Sequence, residues 1–497
     1  MIELSAAEVA EAVDGRLVGV VDPHAATVTA ADTDSRAMVP GALFIAKPGE
    51  TTDGHLFIED ALAAGAVLVL AERETAAADG TPHPAVIVED VVAAMARLAA
   101  DVVRRIREHS PTTVIGITGS AGKTTTKDLL RAVLEAEGPT AAPQGSYNSE
   151  VGVPLTVFTA ALETRYLVVE MGADAPGNIR DLAAIVEPDV GVVLMVGSAH
   201  AGKFGGAEKI AAVKQELVEA VGPEGTVILN DDDPQVRAMA DVAAAPVTWI
   251  TADSMDVAPR AVAAQQVMLD DDGRPQLTLV FGAELVDPDE PRAVELTSGL
   301  IGAHHVTNLL AAAAAAAVVG VGSAAIAERL DGRGAASRWR MERTERADGV
   351  TVINDAYNAN PESMREALRT LAMITRSAGR RSVAVLGAML ELGDESIARH
   401  AQLGETVVRL DISRVLVVGE EAYPLYRSAI AEGSWGSEVR WTATAEEAEE
   451  LLADELRAGD VVLFKSSHGA GLRLLGDRVA ARHGDALDGS GKAGTTW

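Results

Sequence analysis

A glycine-rich segment between a short apolar run and a helical run constrains the fold most. The apolar run Thr113–Thr118 predicts a buried strand, and the residues after the glycines predict a helix that begins near Thr124. At such a turn the backbone N–H groups of the helix N-terminus face a phosphate, a lysine reaches its terminal oxygens and a threonine hydroxyl can hold Mg²⁺. The segment therefore predicts a phosphate-binding loop that binds ATP. Its predicted binding residues are Gly119, Ser120, Ala121, Gly122, Lys123, Thr124 and Thr125.

The spacing of this loop departs from the commonest pattern. Five residues separate Gly116 from Gly122, where four are usual. A glycine-rich strand-to-helix turn with an incidental Gly-Lys-Thr is the alternative interpretation. The flanking strand and helix favour ATP binding.

Apolar strands and helical runs alternate along the rest of the chain, which has 497 residues, enough for about three domains. We predict an α/β protein with a small first domain, a central phosphate-loop domain with a doubly wound, mostly parallel sheet, and a Rossmann-like third domain. The later part of the central domain differs, because an Asp-Gly turn at 272–273 predicts antiparallel strands over Gln266–Phe281, followed by Ala293–Leu296. The predicted boundaries are 1–108, 109–336, 337–484 and a disordered tail at 485–497, with a linker at 109–111.

Composition excludes several classes of protein. The net charge of -31 disfavours nucleic acid and anionic membranes as partners, and the lack of cysteine removes disulfides, thiolate metal sites and cysteine nucleophiles. No apolar stretch is long enough to span a bilayer, and the first residues do not resemble a signal peptide. We therefore expect a soluble cytoplasmic protein without membrane insertion.

Two side chains follow predicted strands of the central domain. Glu170 ends the run Leu167–Glu170, and His200 follows the apolar strand Val190–Val196. Because the carboxyl ends of parallel strands share one edge of a sheet, both side chains are candidate metal ligands near the phosphate loop. An ordinary strand-end charge and a structural histidine are the alternatives, and the residues alone favour the structural histidine.

Lys214 and the run Asp355–Pro361 are ambiguous from the residues alone. Lys214 lies in a helical stretch, where a solvated surface lysine is the usual interpretation. The run Asp355–Pro361 follows a strand at a sheet edge where ligands bind in this class, although Asn360-Pro361 also satisfies a simple helix cap.

Taken together, these segments resemble the Mur ligase family over almost the whole chain. The resemblance rests on motifs in each predicted domain, in the family's order. In the first they are Asp34-Ser35-Arg36, Gly41–Ala46, Gly49 and Asp53-Gly54-His55. In the second they are Gly119–Thr125, Tyr147-Asn148, Val151–Pro154, Glu170, Ala199-His200, Lys214, Asn230–Pro234, His304 and Asn308. In the third they are Arg340–Glu342, Asp355–Pro361, Leu386-Gly387, Met389–Gly393, His400 and Lys465–Ser467.

The resemblance implies an ATP-dependent, ADP-forming amide ligase of peptidoglycan precursor synthesis. Tyr357–Pro361 with Met389–Gly393 is most similar to the branch that joins D-alanyl-D-alanine to a UDP-linked muramoyl tripeptide, and no Asp-Asn-Pro-Arg motif of the diaminopimelate-adding branch is present. The expected partners are these two substrates and ATP, and the expected state is a monomer. A sibling ligase with another acceptor, a catalytically silent nucleotide-binding scaffold and a simple phosphate-loop kinase or ATPase remain alternatives.

The resemblance also implies roles for individual residues. Lys123, Glu170, His200 and Lys214 would be catalytic, with two Mg²⁺ sites built on Thr124 with Glu170 and on His200 with Lys214. Lys214 would be carbamylated. Asn308 would contact adenine, Asp355 the ribose and Arg340 the phosphates. The substrate contacts would be Ser35, Arg36, Asp53, His55, Asn148, Tyr357, Asn358 and Lys465.

Four positions depart from the family's pattern. His305 stands where an asparagine near adenine is usual, and Ser149 replaces the second asparagine of an Asn-Asn pair. Ala388 occupies a position that is usually acidic, and His468 one where arginine is common. None of the four lies in the phosphate loop or among the expected metal ligands, so activity is the expectation.

Overall fold

A computed structural model of the chain describes residues 1–49, 52–143, 145–197, 206–252, 256–433 and 438–482. His200 and the predicted tail at 485–497 therefore lie outside the described residues. The described part forms successive α/β units, each with its own largely parallel sheet, which confirms the predicted fold class.

The first unit has a five-stranded sheet in the order β2-β7-β6-β5-β4, together with a separate β1–β3 pair. Its strands are β1 Leu4–Ser5, β2 Arg16–Val18, β3 Thr27–Val28, β4 Ala30–Asp32, β5 Ala42–Ile45, β6 Ala66–Ala71 and β7 Ala85–Ile87. Its helices are Ala6–Val13, Ile58–Ala64 and Val91–His109, with 3-10 turns at Ser35–Ala37 and Gly54–Phe57. Ser5 caps the first helix in a reciprocal box with Glu8.

The helix Val91–His109 leads from the first unit into the second, and its last residue is the first of the predicted linker at 109–111. The helix runs through His109, and the hydroxyl of Ser110 donates to the carbonyl of Leu162 at 2.7 Å. Ile106 and Val114 belong to one continuous apolar core. The two units share this core because the apolar face of the helix is wide enough to pack on both of them.

The central unit has a nine-stranded sheet in the order β16-β15-β14-β13-β12-β11-β8-β10-β9. Pairing is parallel from β9 to β14 and antiparallel at β15 and β16. Its strands are β8 Thr113–Thr118, β9 Thr140–Ala141, β10 Tyr166–Glu170, β11 Val190–Val193, β12 Thr226–Asn230, β13 Val247–Thr251, β14 Ala261–Leu269, β15 Pro275–Phe281 and β16 Ala293–Thr297. Its helices are Lys123–Leu134, Gly152–Val157, Asn178–Val186, Ala207–Ala220, Pro234–Ala238, His305–Val318 and Ser323–Leu330, with a 3-10 turn at Met239–Val242.

Two features of the central unit follow directly from its residues. The predicted hairpin is present, with Gly273 at a φ of 77° in the turn, although its first strand begins at Ala261 and not at Gln266. The alanine-rich helix His305–Val318 is buried along most of its length and packs on the helix Lys123–Leu134. Small side chains allow this close approach, which brings the start of the alanine-rich helix to the phosphate loop.

The third unit is Rossmann-like, with a six-stranded sheet in the order β17-β18-β22-β19-β20-β21 and only the β17–β18 pair antiparallel. Its strands are β17 Glu342–Glu345, β18 Thr351–Asn354, β19 Ser382–Leu386, β20 Arg414–Val418, β21 Val439–Thr442 and β22 Val461–Lys465. Its helices are Pro361–Ser377, Ser396–Arg409, Tyr423–Ala431, Ala445–Glu455 and Leu472–Ala481, with 3-10 turns at Gly393–Glu395 and His468–Ala470.

Candidate active site

The carboxyl ends of β8, β10 and β11 meet at one edge of the central sheet. Strand β8 lies between β10 and β11, so the chain order reverses direction there, which is where ligands bind in open α/β sheets. The third unit faces the same edge, and the two units enclose a cavity of about 1520 Å³. This cavity is large enough for a nucleotide together with part of a second substrate.

The glycine-rich loop forms one wall of the cavity and begins the helix Lys123–Leu134. Gly122 has a φ of 87°, and a Cβ there would lie 2.2 Å from Oδ1 of Asn308, so only glycine fits. The ammonium of Lys123 donates to the carbonyl of Gly119 at 2.7 Å, and burial lowers the pKa of this lysine. The loop thus has the strand, turn and helix that the sequence predicts.

A hydrogen-bonded carboxylate lies beside the loop. The hydroxyl of Thr124 donates to Oε2 of Glu170 at 2.8 Å, across from the end of β10. Oε1 of Glu170 accepts from the hydroxyl of Ser146 at 2.7 Å and from the amide of Asn148 at 2.8 Å. Three donors therefore orient one buried carboxylate. Asn148, predicted as a substrate contact, contacts Glu170 here.

Lys214 is buried, with 8% of its surface exposed, in the helix Ala207–Ala220. The solvated-lysine interpretation is therefore wrong. Burial, followed by the charge of nearby Lys123, lowers the pKa of Lys214 to about 7. Its side chain lines the cavity. No hydrogen bond or ion pair connects it to any residue of the described ranges, so this amine lacks an anionic neighbour there.

Three predicted residues reach the cavity from the third unit. The guanidinium of Arg340 donates to the hydroxyl of Thr124 at 3.3 Å, across the boundary between the units. Lys465 pairs with Oδ2 of Asp355 at 2.5 Å, and the N–H of Met341 donates to the other oxygen at 3.1 Å. The carboxylate of Asp355 is therefore held in place at the end of β18, and its contact with ribose stays a prediction.

The run after Asp355 forms the predicted helix cap and lines the cavity, and its binding of a ligand stays a prediction. Asn360 caps the helix Pro361–Ser377, because its side chain accepts from the N–H of Ser363 at 2.8 Å. Tyr357 and Asn358 precede the cap and line the cavity. The helix cap thus presents the two preceding side chains toward the phosphate loop.

Asn308 and His305 form a buried pair at the start of the alanine-rich helix. Oδ1 of Asn308 lies 3.4 Å from the hydroxyl of Thr126, and its amide donates to Nδ1 of His305 at 3.0 Å. Burial holds the pKa of His305 well below its usual value, with a further contribution from His304, so the ring is neutral and accepts this hydrogen bond. The polar groups of Asn308 are thus engaged with protein atoms, and its contact with adenine stays a prediction.

The four substrate residues predicted in the first unit do not line this cavity. Ser35 and Arg36 lie in a 3-10 turn, where Arg36 is largely exposed and forms a two-point pair with Asp34. His55 is buried, with Nδ1 2.6 Å from Asp53 and Nε2 accepting from the N–H of Glu72 at 3.0 Å. Both nitrogens of His55 therefore act within the fold, and the direct contacts of all four residues with a substrate stay predictions.

Two contributors to the site were missed from the sequence. Lys127, almost fully buried, pairs with Asp128 at 2.9 Å and donates to the carbonyl of Gly145 at 3.0 Å. It thereby holds the loop that presents Ser146, the second missed residue, to Glu170. The available signal is the position of Lys127, which lies one helical turn after Lys123 on the same helix.

The described residues hold no preformed metal cluster. Among them, no group of three or more histidines, aspartates or glutamates is placed to hold a metal ion. This donor set does not conflict with Mg²⁺, which is often held by one or two protein oxygens together with phosphate oxygens and water. Separately, no helix of the described ranges combines the length and apolar character needed to cross a bilayer.

Comparisons with known proteins match the three units in order. Residues 27–118 match the model of the Mur ligase family catalytic domain, 117–316 that of the Mur ligase middle domain and 339–468 that of the Mur ligase glutamate ligase domain. A UDP-N-acetylmuramoyl-tripeptide--D-alanyl-D-alanine ligase of Mycobacterium leprae (strain TN) is 44% identical over 96% of this chain and 98% of its own length. The protein of that name from Escherichia coli (strain K12) is 31% identical over 86% and 88%.

Solved structures agree with these sequence matches. A crystal structure of MurF from Acinetobacter baumannii has a TM-score of 0.80 at 28% identity and covers 96% of this chain and 99% of its own. The structure of MurF ligase from Thermotoga maritima in complex with ADP has a TM-score of 0.72 at 26% identity and covers 92% and 99%. The similarity therefore extends over all three units.

Proposed function

The chain belongs to the Mur ligase family, and we propose that it joins D-alanyl-D-alanine to a UDP-N-acetylmuramoyl tripeptide. It is an ATP-dependent, ADP-forming peptide ligase of peptidoglycan precursor synthesis. The observation that carries this conclusion is the near-full-length identity of 44% to a ligase of that name, combined with a phosphate loop that faces the third unit across one cavity.

The reaction proceeds in two steps that balance without any other reactant. The terminal carboxylate of the tripeptide attacks the γ-phosphorus of ATP, so that an acyl phosphate forms and ADP leaves. The neutral amine of the dipeptide then attacks the acyl carbon, and the tetrahedral intermediate collapses to an amide, while the proton lost by the amine leaves with the phosphate as HPO₄²⁻. The first step brings together two anions, the carboxylate and the γ-phosphate, and the second develops negative charge on the oxygen of the tetrahedral intermediate, so the site must supply positive charge and hydrogen-bond donors.

The residues of this chain that meet this need lie at the loop and opposite it. Lys123 and the N–H groups at the start of its helix neutralise the phosphates. Arg340 approaches the same place from the third unit, 3.3 Å from Thr124. Because these groups belong to different units, closure of the units around ATP assembles the site and excludes water.

The donor set beside the loop fits a magnesium ion. Thr124 and Glu170 present a hydroxyl and a carboxylate within 2.8 Å of each other, both oxygen ligands of the kind Mg²⁺ prefers. Bound there, Mg²⁺ would neutralise phosphate charge and hold the γ-phosphate in line with its attacker. A second site on His200 and Lys214 is part of the proposal, and His200 lies outside the described residues.

We propose further that Lys214 is carbamylated in the active enzyme. A carbamate forms from a neutral amine and CO₂, and burial lowers the pKa of Lys214 to about 7, so a large neutral fraction exists near neutral pH. The modification replaces a buried cation near Lys123 by an anion, which removes a repulsion and creates oxygen ligands.

The first unit is proposed to hold the uridine nucleotide of the substrate. Arg36 supports this role, because its exposed guanidinium is suited to an anionic ligand on a chain whose net charge is -31. Ser35, Asp53 and His55 complete the proposed surface. The enzyme is proposed to work in the cytoplasm, where ATP is available, and as a monomer.

The test is an acceptor panel with mass detection. Purified protein is incubated with ATP, Mg²⁺, UDP-muramoyl tripeptide and either D-alanyl-D-alanine, single amino acids or other dipeptides. A new amide product and ADP are expected with D-alanyl-D-alanine and only when both substrates are present. Product with another acceptor would identify a sibling ligase. Nucleotide binding without any amide product would identify a catalytically silent scaffold. Release of ADP in the absence of the tripeptide would identify a simple ATPase.

A further inference from the structure

The backbone around Arg340 is strained on both sides. Trp339 has a φ of 60° and Met341 a φ of 52°, a left-handed conformation that side chains other than glycine rarely adopt. Two hydrogen bonds maintain it, from the N–H of Trp339 to Glu342 at 2.9 Å and from the N–H of Met341 to Asp355 at 3.1 Å. This arrangement directs the side chain of Arg340 toward the phosphate loop.

Two rings support the guanidinium of Arg340. Its Cζ lies 4.2 Å from the centre of the Tyr357 ring, within cation–π range. The Tyr357 ring in turn meets His468 edge to face, with centroids 5.3 Å apart at an interplanar angle of 65°. His468, Tyr357 and Arg340 thus form a continuous series of contacts. All three side chains line the cavity, and the guanidinium of Arg340 contacts the hydroxyl of Thr124.

The guanidinium of Arg340 has donor groups that remain available to bind a ligand. Its Nε is buried and has no hydrogen-bond partner in the described ranges. The contact with Thr124, at 3.3 Å, is long for a charge-assisted hydrogen bond. An arginine has several donors in a fixed plane, so one face held by a ring leaves an edge free for phosphate oxygens.

We propose that Tyr357 and His468 are positioning residues that hold Arg340 in place for the phosphates of ATP, and that His468 acts through its ring and not through its charge. The inference rests on the proposed use of ATP by this enzyme. His468, an exposed residue of the third unit, acts on Arg340 through its contact with the Tyr357 ring. The strained backbone directs the side chain of Arg340 toward the phosphate loop, and the two rings restrict the movement of its guanidinium.

The experiment measures ADP affinity by calorimetry and KM for ATP and for the dipeptide in the full chain. Tyr357→Leu is expected to raise KM for ATP about tenfold, equivalent to about 1.4 kcal/mol, as for a partly desolvated cation–π contact. His468→Ala is expected to raise it about threefold. His468→Phe and Tyr357→Phe keep the rings and are expected to recover most of the loss.

A double-mutant cycle separates positioning from direct contact. In an Arg340→Ala background, Tyr357→Leu and His468→Ala are expected to cause no further rise in KM for ATP. A further rise in KM for ATP in that background would overturn the proposal. A rise confined to the KM for the dipeptide would overturn it as well. So would Phe variants at Tyr357 and His468 that are as impaired as Tyr357→Leu and His468→Ala. Arg165→Met, which removes the Arg165–Tyr166 pair remote from the cavity, is the control. ADP affinity does not depend on the acceptor, so failure of the proposed acceptor specificity would leave this test intact.

Discussion

The hydroxyl of Thr124 lies 2.8 Å from Oε2 of Glu170 and donates a hydrogen bond to it. Thr124 is in the first turn of the helix after the phosphate loop, and Glu170 ends the neighbouring parallel strand. Forty-five residues of chain lie between them, so the contact depends on the pairing of β8 with β10.

Lys123→Ala is expected to lower kcat by on the order of 1000-fold, because it removes a cation that is proposed to neutralise the transferred phosphate. Steady-state ADP release in the presence of both substrates measures the effect. Lys209→Ala, an exposed lysine of the helix Ala207–Ala220, is the matched control. Near-normal turnover of a folded Lys123→Ala protein would show that this loop does not serve ATP.

Glu170→Gln keeps the shape of the side chain and removes its charge. The Mg²⁺ concentration for half-maximal rate is expected to rise about tenfold or more, since a neutral amide binds the ion more weakly than a carboxylate. A magnesium titration at saturating ATP measures it. Glu163→Gln changes an exposed glutamate in the same way and should leave the titration unaltered. An unchanged requirement in Glu170→Gln would exclude it as a ligand.

Lys214 is expected to carry a carbamate whose occupancy depends on pH. Because burial lowers the pKa of Lys214 to about 7, its neutral fraction grows as pH rises through 7, and occupancy and activity should rise together from about pH 6 to 8. Carbon-13 NMR with labelled bicarbonate detects the carbamate directly. Lys214→Ala should be inactive and regain activity with short carboxylates. The absence of a carbamate signal from active wild-type protein incubated with labelled bicarbonate would contradict the proposal.

Gly122→Ala is expected to raise KM for ATP several-fold or more. A Cβ there would lie 2.2 Å from Oδ1 of Asn308 on a backbone with a φ of 87°, so the loop must shift. Gly419→Ala controls for backbone strain, since Gly419 has a φ of 92° and an added Cβ there would meet no atom within 4 Å. Equal ATP KM values in both variants would mean that the close approach of Asn308 does not shape the site.

Arg36→Ala is expected to raise KM for the UDP-linked substrate about tenfold and to leave KM for ATP unchanged, because Arg36 lies outside the cavity. Initial rates with each substrate varied in turn measure the two constants. Arg16→Ala, at another exposed ion pair of the first unit, is the control. A rise confined to the KM for ATP would contradict the assignment of Arg36 to the UDP-linked substrate.

Much of the fold was predictable because long buried strands leave a clear pattern. Strands such as Thr113–Thr118 and Val461–Lys465 are apolar throughout most of their length, and both lie where the sequence predicts. The shortest strands were missed, since two- or three-residue pairs such as Thr27–Val28 have no periodicity and depend on a partner strand. The interpretation of Lys214 as solvated is wrong because burial of a single lysine depends on what packs over its helix.

The sequence by itself determined the phosphate loop and the order of the α/β units, because these depend on local glycine geometry and on continuous apolar runs. Only the tertiary structure decided which polar groups meet. The pairing of Thr124 with Glu170 and the contact of Arg340 with the loop each join residues that are distant in sequence. Such contacts follow from sheet register and from the packing of one unit on another, and neither is encoded in the residues next to them.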